Sequence, residues 1–207
     1  MALDLGTQKL RIVSANEETI LNIDLEAFQG LWTREQYLRL TDYSNRLVEF
    51  TDGALEVLPM PTDHHQAISQ FLLFALHAFL RPRGGTVRFA PLRLQIYEEK
   101  FREPDLMLVV DANDPRRRNA YWLGADMVIE IVSPDNPERD TVVKRSDYAE
   151  AKIPEYWIVH PKEETVTVLQ LTEGQYSEHG VFKRGDVATS VLLESFSISV
   201  DEVLDTR

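Results

Sequence analysis

The chain has 207 residues, 43% hydrophobic and 27% charged, which is the composition of a globular protein with enough length to bury a core. It has no cysteine, which excludes disulfides and thiolate metal sites, and no apolar run approaches the roughly 18–20 residues of a membrane helix. Acids outnumber bases 34 to 22, and the net charge of −12 repels phosphate on average, although an acid-rich site is also what divalent metals need. The opening "MALDLGTQKL" lacks a signal peptide's apolar core, so a cytoplasmic location is expected.

Residues 1–32 hold two short apolar stretches, around Leu10–Val13 and Ile20–Leu25, and read as an N-terminal extension to one domain over 33–207. Thr33–Leu40 reads as a helix, with Thr33 as N-cap and Gln36 completing a capping box. "RLVEFTDGALEVLPM" is a hairpin signal, two alternating runs around Thr51-Asp52-Gly53. From Thr62 to Leu80 the period becomes helical, with Ile68, Leu72, Leu76 and Phe79 on one side and "RPRGG" as the stop. A long strand pattern follows at Thr86–Tyr97, then apolar runs beginning at Pro104 and Asp126. A second helix is expected over about Glu138–Lys152. The strand "PEYWIVH" leads to alternating segments at Thr165–Leu171, Gln175–Lys183 and Val187–Leu193. Strands and helices mix without regular βαβ alternation, so the class is α+β or mixed α/β around one sheet.

Two of these segments carry an acid where strands are otherwise apolar. In "FREPDLMLVVD" Asp105 stands at the mouth of Leu106–Val110, and in "MVIEIVSP" Glu130 interrupts the run itself. A desolvated carboxylate costs several kcal/mol unless a proton, a cationic side chain or a metal compensates it. Strand alternation places Asp105 with Met107 and Val109, and Glu130 with Val128 and Val132. If the two runs are neighbours, both acids can share one divalent cation, and such oxygen ligands suit Mg²⁺ or Mn²⁺. Asp105 alone also fits a solvent-exposed acid at a strand edge. Asp140, Lys144 and Tyr148 fall at i, i+4 and i+8, one helical face: an exposed Asp–Lys pair, or a lysine turned inward beside the metal. The loop "DANDPRRRNAYWLG" between the two acidic runs reads either as functional or as a solvated connection.

With these residues in view the sequence resembles the Uma-type "putative restriction endonuclease" family of the PD-(D/E)XK nuclease-like superfamily. The resemblance runs from about Trp32 to Leu204. It is carried in order by "RLVEFTDGALEVLPMP", "HHQAISQFLL", "REPDLMLV", "MVIEIVSP", "DTVVKRSDYAEAKIPEYWIV" and "RGDVATSVLLESFSISVDEVL". It implies a restriction-endonuclease-like core, a mixed sheet flanked by helices, with additional antiparallel C-terminal strands. It also implies Mg²⁺- or Mn²⁺-dependent hydrolysis of DNA, with Asp105 and Glu130 as metal ligands. The superfamily's lysine, two residues after the glutamate, is Val132 here, and the resemblance implies that Lys144 on the following helix takes its place. Glu49 matches the family's early glutamate, and His65 the histidine opening the long helix. Glu49 also fits a plain strand surface residue, and His65, on the Leu72–Leu76 side, a core histidine. A homodimer is expected, from the resemblance and from more C-terminal strand than a minimal nuclease core needs. Two alternatives stand beside the endonuclease: a catalytically silent binding or assembly module on this fold, and a hydrolase of another phosphate ester.

Overall fold

Thr62 caps the long helix, as its place before a 3.6-residue apolar repeat requires. In the computed structural model, which describes residues 9–13, 20–24, 26–44 and 46–206, helix α1 spans Asp63–Leu80, and the Thr62 hydroxyl accepts the His65 backbone N–H at 3.2 Å. Its buried residues, Ile68, Leu72, Leu76 and Leu80, are the apolar stripe of the sequence with Leu80 in place of Phe79. The chain divides into two compact units, Met1–Met60 with Glu98–Arg102, and Pro61–Tyr97 with Glu103–Arg207.

The larger unit carries a six-stranded sheet of β1 (Thr86–Phe89), β2 (Leu106–Val109), β3 (Met127–Ile131), β4 (Glu155–His160), β5 (Thr165–Thr172) and β6 (Gln175–Lys183), lying side by side in chain order. Neighbours are antiparallel except β3 and β4, which are parallel. A parallel pair needs a crossover, and here it contains a π-helical turn, Arg139–Val143, running into helix α2, Lys144–Glu150. Side-chain alternation splits the sheet between two cores. Leu106, Leu108, Met127, Ile129 and Trp157 pack with the buried face of α1 and with Leu193, Phe196 and Val203 near the C-terminal end. Met107, Val109, Val128, Val132 and Tyr156 pack on the other face with Tyr148 of α2, Ile153, Leu94 and Trp122. The class is the expected mixed α+β.

Three expected elements differ in the structure. The Thr86–Tyr97 strand is two strands, because Pro91 lacks the N–H a ladder needs. The second piece, Arg93–Tyr97, pairs in parallel with Tyr121–Trp122, and the Ala90–Pro91 peptide is cis. The segment from Val187 ends as a strand at Thr189 and pairs with Ser197–Ser199. A short helix, Val200–Leu204, follows, with the Ser199 hydroxyl accepting the Glu202 N–H. The helix expected from Glu138 begins as the π turn.

In the smaller unit, strands Val48–Thr51 and Ala54–Val57 form the expected hairpin, and Lys100–Arg102 pairs with the first of them. Asp52 and Gly53 both have positive φ, 46° and 83°, as a two-residue turn between twisted strands requires. A Cβ at Gly53 would lie 2.7 Å from the Gly30 carbonyl oxygen, so glycine is needed there twice over. Helix Arg34–Thr41 has the predicted capping box, and its Tyr37 stacks on Phe50 at 5.1 Å and tilts against Phe101. The two N-terminal apolar stretches form an antiparallel pair, Lys9–Val13 with Ile20–Asp24, and Leu25 lies outside the described residues.

Candidate functional site

The antiparallel register of β2 and β3 pairs Leu108 with Met127, Met107 with Val128 and Leu106 with Ile129. One step further brings Asp105 opposite Glu130. The two acids meet there: the Asp105 N–H points to Glu130 Oε2 at 3.4 Å, and the Ile131 N–H donates to Asp105 Oδ2 at 2.7 Å. Asp105 is not the solvent-exposed edge acid, since its side chain is 15% exposed. Glu130 is 2% exposed.

The crossover supplies a cation, a third acid and a hydroxyl. Asp140, Lys144 and Tyr148 share one face, and that face is turned inward: all three are buried. Lys144 Nζ lies 2.9 Å from Glu130 Oε1 and 3.0 Å from Asp140 Oδ1, and the Tyr148 hydroxyl donates to Glu130 Oε1. The π turn, closed by the Lys144 N–H on the Arg139 carbonyl, falls on the segment that presents Asp140 and Lys144, as such turns often do at functional sites. The exposed Asp–Lys pair is thereby replaced by an inward three-charge arrangement.

His65, in the first turn of α1, reaches the cluster from the other face. Its Nε2 is 3.2 Å from Asp105 Oδ2, while its Nδ1 is buried without a hydrogen-bond partner. Burial pulls this imidazole's pKa down, but the Asp105 hydrogen bond and the charges of Asp105 and Asp140 outweigh it and leave the pKa raised. His65 is therefore part of the acid cluster and not a satisfied core histidine. Glu49 belongs to the smaller unit. It is 1% exposed, so it is no surface residue, and its carboxylate lies 3.4 Å from Arg102 Nε.

The electrostatics of Glu130 set the character of the site. Its carboxyl is pushed up to about 8, first of all by desolvation, with Lys144 lowering it, Asp105 and Asp140 adding to the rise and the Tyr148 hydroxyl opposing it. Three carboxyl groups, of Asp105, Glu130 and Asp140, thus face Lys144 and His65, and without a further cation Glu130 favours its protonated form. The residues fit a hard divalent cation: a half-buried and a buried carboxyl group converge from adjacent strands, and a bound cation would favour the ionised form of both. Among the described residues no group of three or more His, Cys, Asp or Glu side chains converges as a metal cage. The fit is thus of the kind in which one or two carboxylates hold the ion together with water and substrate phosphate.

The triple-arginine loop is mostly self-stapled. Arg116 donates to Asp114 and Asp126, and its pKa is raised first of all by the Asp114 hydrogen bond. Arg117 donates to the Ala112 carbonyl and lies over the Trp122 ring. Sequence reasoning passed over Tyr148 as a partner of Glu130; its spacing from Lys144 was the available signal. It also passed over Glu155, a buried acid opening "EYWIVH" in β4.

A family model described as "Putative restriction endonuclease", Uma2, matches residues 34–201. Among curated proteins no sequence matches the chain. A solved structure, described as a putative nuclease belonging to DUF820 from Anabaena variabilis ATCC 29413, is similar in fold. Its TM-score is 0.68 at 20% identity, covering 82% of this chain and 96% of that one.

Proposed function

The chain belongs to the Uma2 putative restriction endonuclease family, and on that premise we propose that it is a metal-dependent endonuclease hydrolysing DNA phosphodiester bonds at the Asp105–Glu130–Lys144 cluster. The observation that carries this reading is the convergence of two acids from adjacent strands beside a buried lysine. Asp105 and Glu130 would hold Mg²⁺ or Mn²⁺. When bound, the ion supplies positive charge for the phosphoryl oxygens and acidifies a bound water.

The chain's own groups do the rest. The Ile131 N–H fixes one Asp105 oxygen, and Lys144 with Tyr148 fixes one Glu130 oxygen. Lys144, held between Glu130 and Asp140, keeps an ammonium at the reacting centre, where it orients the attacking water and offsets charge growing on phosphate. His65 braces Asp105 from α1 and, when protonated, adds a second positive charge near the phosphate. The resemblance alone gives Glu49 a catalytic role; within the smaller unit Arg102 steadies its carboxylate. A homodimer suits a duplex with two strands to cut. A monomer mass by light scattering at tens of micromolar would contradict the dimer.

The test is cleavage of duplex, single-stranded and branched DNA by purified protein with Mg²⁺ and with Mn²⁺. Nicking or cutting is expected with metal, abolished by EDTA and by Asp105→Asn. Intact DNA in every arm overturns the endonuclease.

A further inference from the structure

Two donors converge on a single oxygen of Glu130. The Tyr148 hydroxyl and Lys144 Nζ both address Oε1, while Oε2 is turned toward Asp105, whose N–H reaches it at 3.4 Å. The carboxylate is therefore sorted: one oxygen is anchored in the protein and the other faces the second acid. The anchor is rigid. Tyr148 is 0% exposed, one turn after Lys144 on α2, and its ring meets Tyr156 edge-on at 5.0 Å and 71°. The Tyr156 hydroxyl donates to the Asp140 backbone carbonyl at 2.7 Å, on the segment that holds Lys144's other carboxylate. One aromatic pair thus steadies both ends of the Glu130–Lys144–Asp140 arrangement.

We propose that Tyr148 is a positioning residue of the metal site, its hydroxyl holding Glu130 Oε1 so that Oε2 is presented, together with Asp105, to the cation. The proposal rests on the metal-site reading above and extends it to a residue that touches neither substrate nor ion. Removing the hydroxyl leaves Lys144 alone on Oε1, so Glu130 turns more easily about its last torsion, which is broad and roughly two-fold for a carboxylate. Outer partners of this kind typically change metal affinity or activity by about 10- to 100-fold.

The test uses Mn²⁺ alone as probe, with binding followed by the electron paramagnetic resonance of free Mn²⁺. Tyr148→Phe should keep the fold by circular dichroism and weaken Mn²⁺ at least about tenfold. Tyr176→Phe is the control: it deletes a hydroxyl of the same aromatic cluster that bonds the Ile153 carbonyl instead, and should bind Mn²⁺ as the wild type does. Equal Mn²⁺ affinity in Tyr148→Phe and wild type overturns the proposal and leaves the nuclease reading standing. Loss of affinity in both variants alike also overturns it, because the effect would then be one of general packing. If the wild type binds Mn²⁺ but cuts no DNA, the nuclease reading fails while the binding arm still decides Tyr148. Absence of Mn²⁺ binding by the wild type overturns both. Should Tyr148→Phe fail to fold, 3-fluorotyrosine at position 148 of the intact protein gives a second reading. Its ¹⁹F resonance should move on Mg²⁺ addition, and a resonance indifferent to Mg²⁺ overturns the proposal.

Discussion

Adjacent parallel strands each carry a fully buried glutamate, and the two have opposite surroundings. Glu155 of β4 lies on the α1 face of the sheet, where its carboxylate accepts from Trp157 Nε1 at 2.5 Å and Ser190 Oγ at 2.7 Å. It also accepts the backbone N–H groups of Val191 at 2.8 Å and Leu192 at 2.6 Å. Four neutral donors satisfy it, and the result is a staple for the turn after Thr189. Glu130 of β3 lies on the α2 face. It meets an ammonium, a phenol and one long N–H contact, with two further carboxylates close enough to raise its pKa. Burial alone does not distinguish structure from chemistry. What distinguishes them is whether neutral dipoles satisfy the charge, as at Glu155, or whether it falls to an ammonium, a proton or a bound cation, as at Glu130.

Substitution at Glu155 should have the largest effect on the fold. Glu155→Ala strands buried donors and frees the 190–193 turn, and should cost about 4 kcal/mol in urea unfolding, the scale for breaking a buried charged network from one side. Any response of the protein to divalent metal should survive. A loss of under about 1 kcal/mol would remove the staple role.

Lys144→Met comes next. Cleavage should fall about a hundredfold, or about 2.7 kcal/mol of barrier, the scale of a lost charge-stabilising group. Metal binding should persist or tighten, since a competing cation leaves the acids. Lys144→Arg should not restore the rate, because the guanidinium has a different shape and stays protonated. Wild-type cleavage by Lys144→Met would remove this lysine from the chemistry.

A smaller effect concerns pH in metal-free protein. Glu130 has an ordinary value of 4.5 and a folded value of about 8, so the folded state holds its proton more tightly. The associated stability is fully present below about pH 4.5 and is lost as pH rises through 8. The raised pKa of His65 acts in the same direction. Urea titrations from pH 5 to pH 8.5 should therefore show stability declining, and Glu130→Gln, which has no proton to lose, should flatten part of that decline. An equal slope in the variant would show that Glu130 does not titrate in this window.

The sequence revealed the acids more clearly than their partners. An acid inside "MVIEIVSP" is conspicuous because strands tolerate few buried charges, and "PDLMLV" carries its own acid at the strand mouth. Their convergence needed the β2–β3 register, which no local pattern encodes. The Asp140–Lys144–Tyr148 face was legible as spacing, but its direction was not. Glu155 was hidden by its place at the start of a strand, where acids are usually exposed; its partners, Ser190 to Leu192, are some 35 residues away. The strand expected over Val187–Leu193 stops early because Glu155 captures that backbone in a turn. Pro91 was visible all along, and its missing N–H divides the strand expected over Thr86–Tyr97.

The most direct measurement of the central claim is the melting temperature of the protein with and without Mg²⁺ or Mn²⁺, compared with the Asp105→Asn, Glu130→Gln double variant. A ligand that binds only the folded state stabilises it by mass action, about 2.7 kcal/mol at a hundred times its dissociation constant. The wild type should melt several degrees higher with metal, and the double variant should show no shift. A wild type indifferent to metal, or a double variant that keeps the full shift, would contradict a metal site at these two acids.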